Sequence, residues 1–154
     1  MKTIKALLID PKDRTVTEIE LVKTEDMGVL AALYTAIGCE FVECPVELAN
    51  GDGVVMDEEG LFKSDLNFFS VDTFPSPLVG KAVIVGTSPD GDWVSCKTTL
   101  AEALKQVHFL GPTEAKEMYT FLKLQWAATA LRAKELGIEF IDANIYPEIE
   151  DDHD

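Results

Sequence analysis

The spacing of apolar positions changes several times along the chain, and each change marks an element. Residues 5–9 (KALLI) form a short apolar run that predicts a strand, closed by Asp10-Pro11 and the polar turn Lys12-Asp13-Arg14. Residues 14–22 (RTVTEIELV) alternate. Thr15, Thr17, Ile19 and Leu21 share one face and Val16, Glu18 and Glu20 the other, which predicts a second strand and a hairpin. Over 25–37 the spacing lengthens to three and four. Leu30, Leu33, Tyr34 and Ile37 make a helical stripe, Thr24 suits the N-cap, Glu25 and Asp26 suit the first turn, and Gly38 suits the position after the last turn. Residues 39–48 (CEFVECPVEL) predict a strand in which Pro45 withholds a ladder donor, as it does at an edge or bulge. Asn50-Gly51-Asp52-Gly53 is turn chemistry, residues 54–57 a short strand, and Glu58-Glu59-Gly60 a further turn.

Ser64 suits the cap of a short helix containing Leu66, Phe68 and Phe69, and residues 72–78 (DTFPSPL), with two prolines, predict irregular loop. The clearest stretch is 81–94 (KAVIVGTSPDGDWV). Ala82, Val83, Ile84 and Val85 read as a buried strand, Pro89 to Asp92 as a turn, and Trp93 and Val94 as the returning strand of a hairpin. Thr99 with Glu102 fits a capping box ahead of the stripe Leu100, Ala103, Leu104 and Val107, and Gly111-Pro112 breaks that helix. Residues 113–136 predict the longest helix, with Met118, Phe121, Leu122, Leu124, Trp126, Ala128 and Leu131 on a broad apolar face and Gly137 as its stop. Residues 138–141 add a strand or simply pack. The expected fold is α+β: a small sheet of hairpins, mixed or mostly antiparallel, packed by three to four helices and ending in a long one. Residues 1–147 form one domain on this reading, and 148–154 an acidic, flexible tail.

Charge changes the picture more than composition does. The 154 residues carry 28 acids against 13 lysines and arginines, a net −15. The last seven residues hold five acids and no cation, so −10 stays on the body. Such a body repels nucleic acid and anionic membranes and attracts basic protein surfaces. No apolar run nears the roughly 20 residues of a membrane span, and Asp10-Pro11 arrive too early for a signal peptide, so a cytoplasmic protein is expected. Cys39, Cys44 and Cys96 form no disulfide or metal pattern and read as small buried hydrophobes.

Catalytic motifs are missing. His108 and His153 have no HExxH or paired-cysteine context, so no metal and no cofactor is expected. The turns at Gly51-Asp52-Gly53 and Pro89-Asp90-Gly91-Asp92 match neither a phosphate loop nor an EF-hand. Neighbouring carboxylates (Glu18 with Glu20, Glu40 with Glu43, Asp57 with Glu58) reveal no split in pKa that acid–base chemistry needs, and catalytic residues are expected to be none. The long helix reads as core packing or as an interface.

The stretches Val54-Val55-Met56-Asp57-Glu58-Glu59-Gly60-Leu61, Leu66-Asn67, Gly80 to Gly86 and Asp90 to Ser95 together resemble a small domain family of unknown function. That family is found in bacteriophages, plasmids and other mobile elements, and the resemblance spans about residues 3–97. It has no agreed catalytic residues, so the resemblance implies a setting and no site. Small acidic proteins of that setting bind and block host proteins. The resulting expectation is a non-enzymatic interaction protein that meets a basic protein surface, a host DNA-binding or defence protein, by mimicking the charge of DNA. Glu18, Glu20, Glu40, Glu43, Glu47, Asp57, Glu58 and Glu59 are its expected contact acids. Trp126, Phe121 and Met118 are the expected interface of the long helix, through which a second copy is a candidate partner. The alternative is a small-molecule or nucleotide binder, or a small hydrolase, with a pocket between sheet and long helix.

Overall fold

The computed structural model describes residues 2–63, 65–139 and 146–149. Its elements are β1 (Lys2–Asp10), β2 (Thr15–Lys23), α1 (Leu30–Ile37), β3 (Val42–Glu47), β4 (Gly53–Asp57), a 3-10 turn (Gly60–Phe62), β5 (Phe68–Val71), β6 (Phe74–Val79), β7 (Ala82–Thr87), β8 (Trp93–Val94), α2 (Leu100–Gln106), β9 (Val107–Leu110) and α3 (Pro112–Glu135). The larger sheet runs β2-β1-β7-β4-β3, with β8 paired to β7, and the smaller runs β6-β5-β9. Every pairing between strands is antiparallel. The fold is α+β, with a long C-terminal helix.

β7 sits at the centre of the larger sheet because both of its faces are apolar. Val83 and Val85 face α1 together with Ala6, Leu21, Leu33, Ile37 and Val55. Ala82 and Ile84 face the smaller sheet and α2, with Leu7, Ile9, Val54, Phe69, Leu78 and Ala103. A third cluster, Phe68, Val79, Ala115 and Tyr119, fixes the start of α3 on the outer side of the smaller sheet. The Tyr119 hydroxyl donates to the Pro77 carbonyl at 3.2 Å, and burial pushes its pKa up to about 12. Tyr146 packs edge-on against Tyr119, with centroids 6.0 Å apart.

Four expectations need correction. The helix predicted from residue 25 starts at Leu30, because Thr24 and Gly28 exchange backbone hydrogen bonds of 2.7 and 3.0 Å, with Gly28 at φ 59°, and close the chain into a loop. The short helix expected around Leu66, Phe68 and Phe69 is replaced by strand β5, which is buried throughout. Ser64, its expected cap, lies outside the described residues. The expected loop 72–78 is largely β6, an edge strand where Pro75 and Pro77 cost no inner ladder bond. Val107, expected in the helical stripe, opens β9, which pairs with β5 from Phe68↔Leu110 to Val71↔Val107. Residues 140 and 141 of the expected last strand lie outside the described residues, as do residues 150–154 of the expected tail, whereas Ile149 packs against the cluster around Tyr119.

Candidate partner-binding surface

The open end of the β3–β4 hairpin carries several acids and an exposed aromatic residue, Phe41. Pro45 interrupts β3, and its register against β4 shifts between Glu43 and Val46, so the strand is short and bulged. Before the bulge, Val42 faces Asp57 and Glu43 faces Met56. The Glu58 N–H donates to the Phe41 carbonyl at 3.1 Å, which holds the 57–59 turn beside residues 40–43. Phe41 is 53% exposed, an apolar side chain among the exposed carboxylates Glu40, Glu43, Glu58 and Glu59.

Asp57 has a different task from its neighbours. Its side chain is 8% exposed, forms an ion pair with Lys63 and accepts the Glu59 N–H at 2.9 Å. It therefore shapes the turn from inside. The hydrogen bond to Asp57 raises the pKa of Lys63. Glu43 is raised too, first by partial burial and then by repulsion from Glu58 and Asp57. Glu58 and Asp57 therefore lie close enough to Glu43 to repel its charge, and a bound cation relieves that repulsion.

Of the expected contact acids, the structure thus brings together Glu40, Glu43, Asp57, Glu58 and Glu59. Glu47 lies at the far end of β3, opposite Gly53. Glu18 and Glu20 lie on β2, the other edge of the sheet, where Glu20 faces Lys5. Four strand spacings separate β2 from β3, roughly 19 Å. Phe41 escaped the sequence reading because it sits inside a strand-like run, where an aromatic signals burial as readily as contact.

Two other polar constellations have no assembled reaction centre. His108 Nε2 lies 2.6 Å from Asp72 Oδ1, and Ser70 is the cross-strand neighbour of His108. Ser70 is 8% exposed, and among the described residues no hydrogen bond links its hydroxyl to His108, so an activated serine is not formed. Asp52, 1% exposed, accepts from Lys97 N at 2.9 Å, Thr98 N at 2.8 Å and Thr98 Oγ1 at 2.6 Å. Asn50 Nδ2 donates to the same hydroxyl at 2.9 Å. This cluster ties the β3–β4 turn to the segment before α2. The cysteines are not the buried hydrophobes expected, since Cys44 is exposed and Cys39 and Cys96 are half-buried, but partial desolvation raises all three thiol pKa values, which keeps them protonated and weakly nucleophilic. Among the described residues no group of three or more His, Cys, Asp or Glu side chains is arranged to hold a metal ion. A groove of about 400 Å³ runs between β1, β2 and residues 96–100, lined by Lys5, Glu18, Glu20, Cys96, Thr98 and Leu100.

A family model described as a domain of unknown function, DUF3846, matches residues 4–108. The chain belongs to the DUF3846 family. The match takes in the acidic hairpin end, α2 and all of both sheets but the first residues of β1 and the second half of β9, and it stops before α3. No curated protein and no solved structure matches the chain significantly. The long-helix residues Met118 and Trp126 are half-buried, while Phe121 is 61% exposed. No described helix is long and apolar enough to cross a membrane.

Proposed function

We propose that this DUF3846 domain is a non-enzymatic interaction protein that binds a basic protein surface, and that its target is a host DNA-binding or defence protein of the kind a mobile element must block. The observation that carries the reading is the hairpin end itself: Glu40, Glu43, Glu58 and Glu59 are exposed on the two adjoining segments that also expose Phe41, on a chain of net charge −15. Arginine suits such a surface, since its guanidinium pairs with carboxylates through a planar fork and stacks on an aromatic face. Charge mimicry on this reading uses one patch.

Competition tests the proposal. Host proteins retained by the immobilised domain at about 50 mM salt are expected to elute with mixed-sequence duplex DNA and with about 500 mM salt. A Glu43→Gln/Glu58→Gln variant is expected to retain less than about a tenth as much. Retention that neither DNA nor salt displaces, and that the variant keeps, would overturn the reading.

One observation favours the small-molecule alternative: the groove beside β2 places Lys5, Glu18, Glu20 and Thr98 around a volume of about 400 Å³. It lies on the β2 side of the larger sheet, away from α3. A metabolite that co-purifies with the chain in native mass spectrometry, and is lost in a Lys5→Ala variant, would support that reading.

A further inference from the structure

We propose that the outer face of α3 pairs two copies of this chain as antiparallel helices. α3 carries two apolar stripes. Ala115, Tyr119, Leu122, Trp126, Ala130 and Ala133 form the inner one, buried or half-buried. Phe121, Leu124, Ala128 and Leu131 form the other, at intervals of three, four and three, the spacing of a coiled-coil seam. At about 100° per residue the two stripes fall on opposite sides of the helix. Among the described residues nothing covers the outer stripe: Phe121 is 61%, Leu124 65% and Leu131 62% exposed, and Ala128 is exposed as well. Leu136 and Ile138, just past the last turn, are 57% and 59% exposed. Patches this concentrated mark contact surfaces, and two of them face to face bury on the order of 1,000 Å², the size at which an interface becomes specific.

The occupant is a second copy because the stripe complements itself only when reversed. Antiparallel pairing about the middle of the stripe sets Phe121 against Leu131 and Leu124 against Ala128 of the other chain, and the reverse. Large side chains then meet small ones in the central layers. Parallel pairing would set Ala128 on Ala128 and leave a gap. Charge agrees with the reversed arrangement. Glu114, Lys116 and Glu117 give the first part of α3 a net −1, and Lys123, Arg132, Lys134 and Glu135 give the remainder +2. Antiparallel copies bring these unlike ends together. The seam lies outside the matched family residues.

Light scattering on the full chain after size exclusion tests this. Wild type at about 100 μM is expected to show twice the chain mass, and Leu124→Glu and Leu131→Glu variants the mass of one chain. Unchanged thermal melts at low concentration would show that these exposed positions leave the fold intact. Orientation is read by oxidising a mixture of Leu124→Cys and Ala128→Cys chains, each also carrying Cys44→Ser. Mixed disulfides are expected to exceed either homodisulfide several-fold. A monomeric wild type, a dimer indifferent to both glutamates, or a preference for homodisulfides would overturn the proposal.

Discussion

Asp52 illustrates how one side chain holds this structure together. Its carboxylate is 1% exposed and is satisfied by the amides of Lys97 and Thr98 and the Thr98 hydroxyl. Asp52→Ala would leave those buried donors unpaired, and the expected loss in urea unfolding is about 3 kcal/mol. Lys63 presents a milder case, since its own side chain is 51% exposed while that of Asp57 is only 8% exposed. Lys63→Met is expected to cost about 1 kcal/mol, because Asp57 keeps its charge beside Glu43 and loses its counterion. Glu43 runs the other way. Its pKa is raised by partial burial and by Glu58 and Asp57, so the folded chain holds that proton more tightly than the unfolded chain does. Its contribution to stability therefore falls as pH rises from the unfolded pKa through the folded one. Glu43→Gln removes this penalty: its urea midpoint should exceed that of wild type near pH 7 and match it near pH 3.

At the scale of elements, the central strand is the most constrained. A Cβ on Gly86 of β7 would run into the Ser95 carbonyl, where the chain leaves β8. Gly86→Ala should cost about 2 kcal/mol or more and lower the melting temperature by several degrees, because backbone rather than a flexible side chain blocks the space. β7 was legible from sequence because four apolar residues in a row, each buried, have no helical period to compete with. The β1–β2 hairpin was legible because its alternation matches the two faces the strands present. β5, β6 and β9 were not. Phe68 and Phe69 form too short a run to reveal a period, Pro75 and Pro77 disguise an edge strand as loop, and α2 passes into β9 without a breaker. The site was half legible. The acids of the β3–β4 end are close in sequence and stay close in space, but strand order alone sends Glu18 and Glu20 to the opposite edge. Phe41 depended on where β3 begins.

For the whole molecule, the layers decide which surfaces stay exposed. α1 and the smaller sheet consume the two faces of the larger sheet, and the first turns of α3 consume the outer face of the smaller one. Among the described residues, the hairpin end presents exposed charge and the outer face of α3 exposed apolar area. They differ in chemistry, so salt should loosen contacts at the first and spare pairing through the second. The most direct test is an NMR titration of the isotope-labelled chain with an arginine-rich peptide. The account predicts amide shifts centred on Glu40, Phe41, Glu43 and Glu58 that collapse as salt rises from about 50 to about 500 mM. Shifts spread evenly over the acids of both edges, or centred on the groove at Glu18 and Glu20, or indifferent to salt, would contradict it.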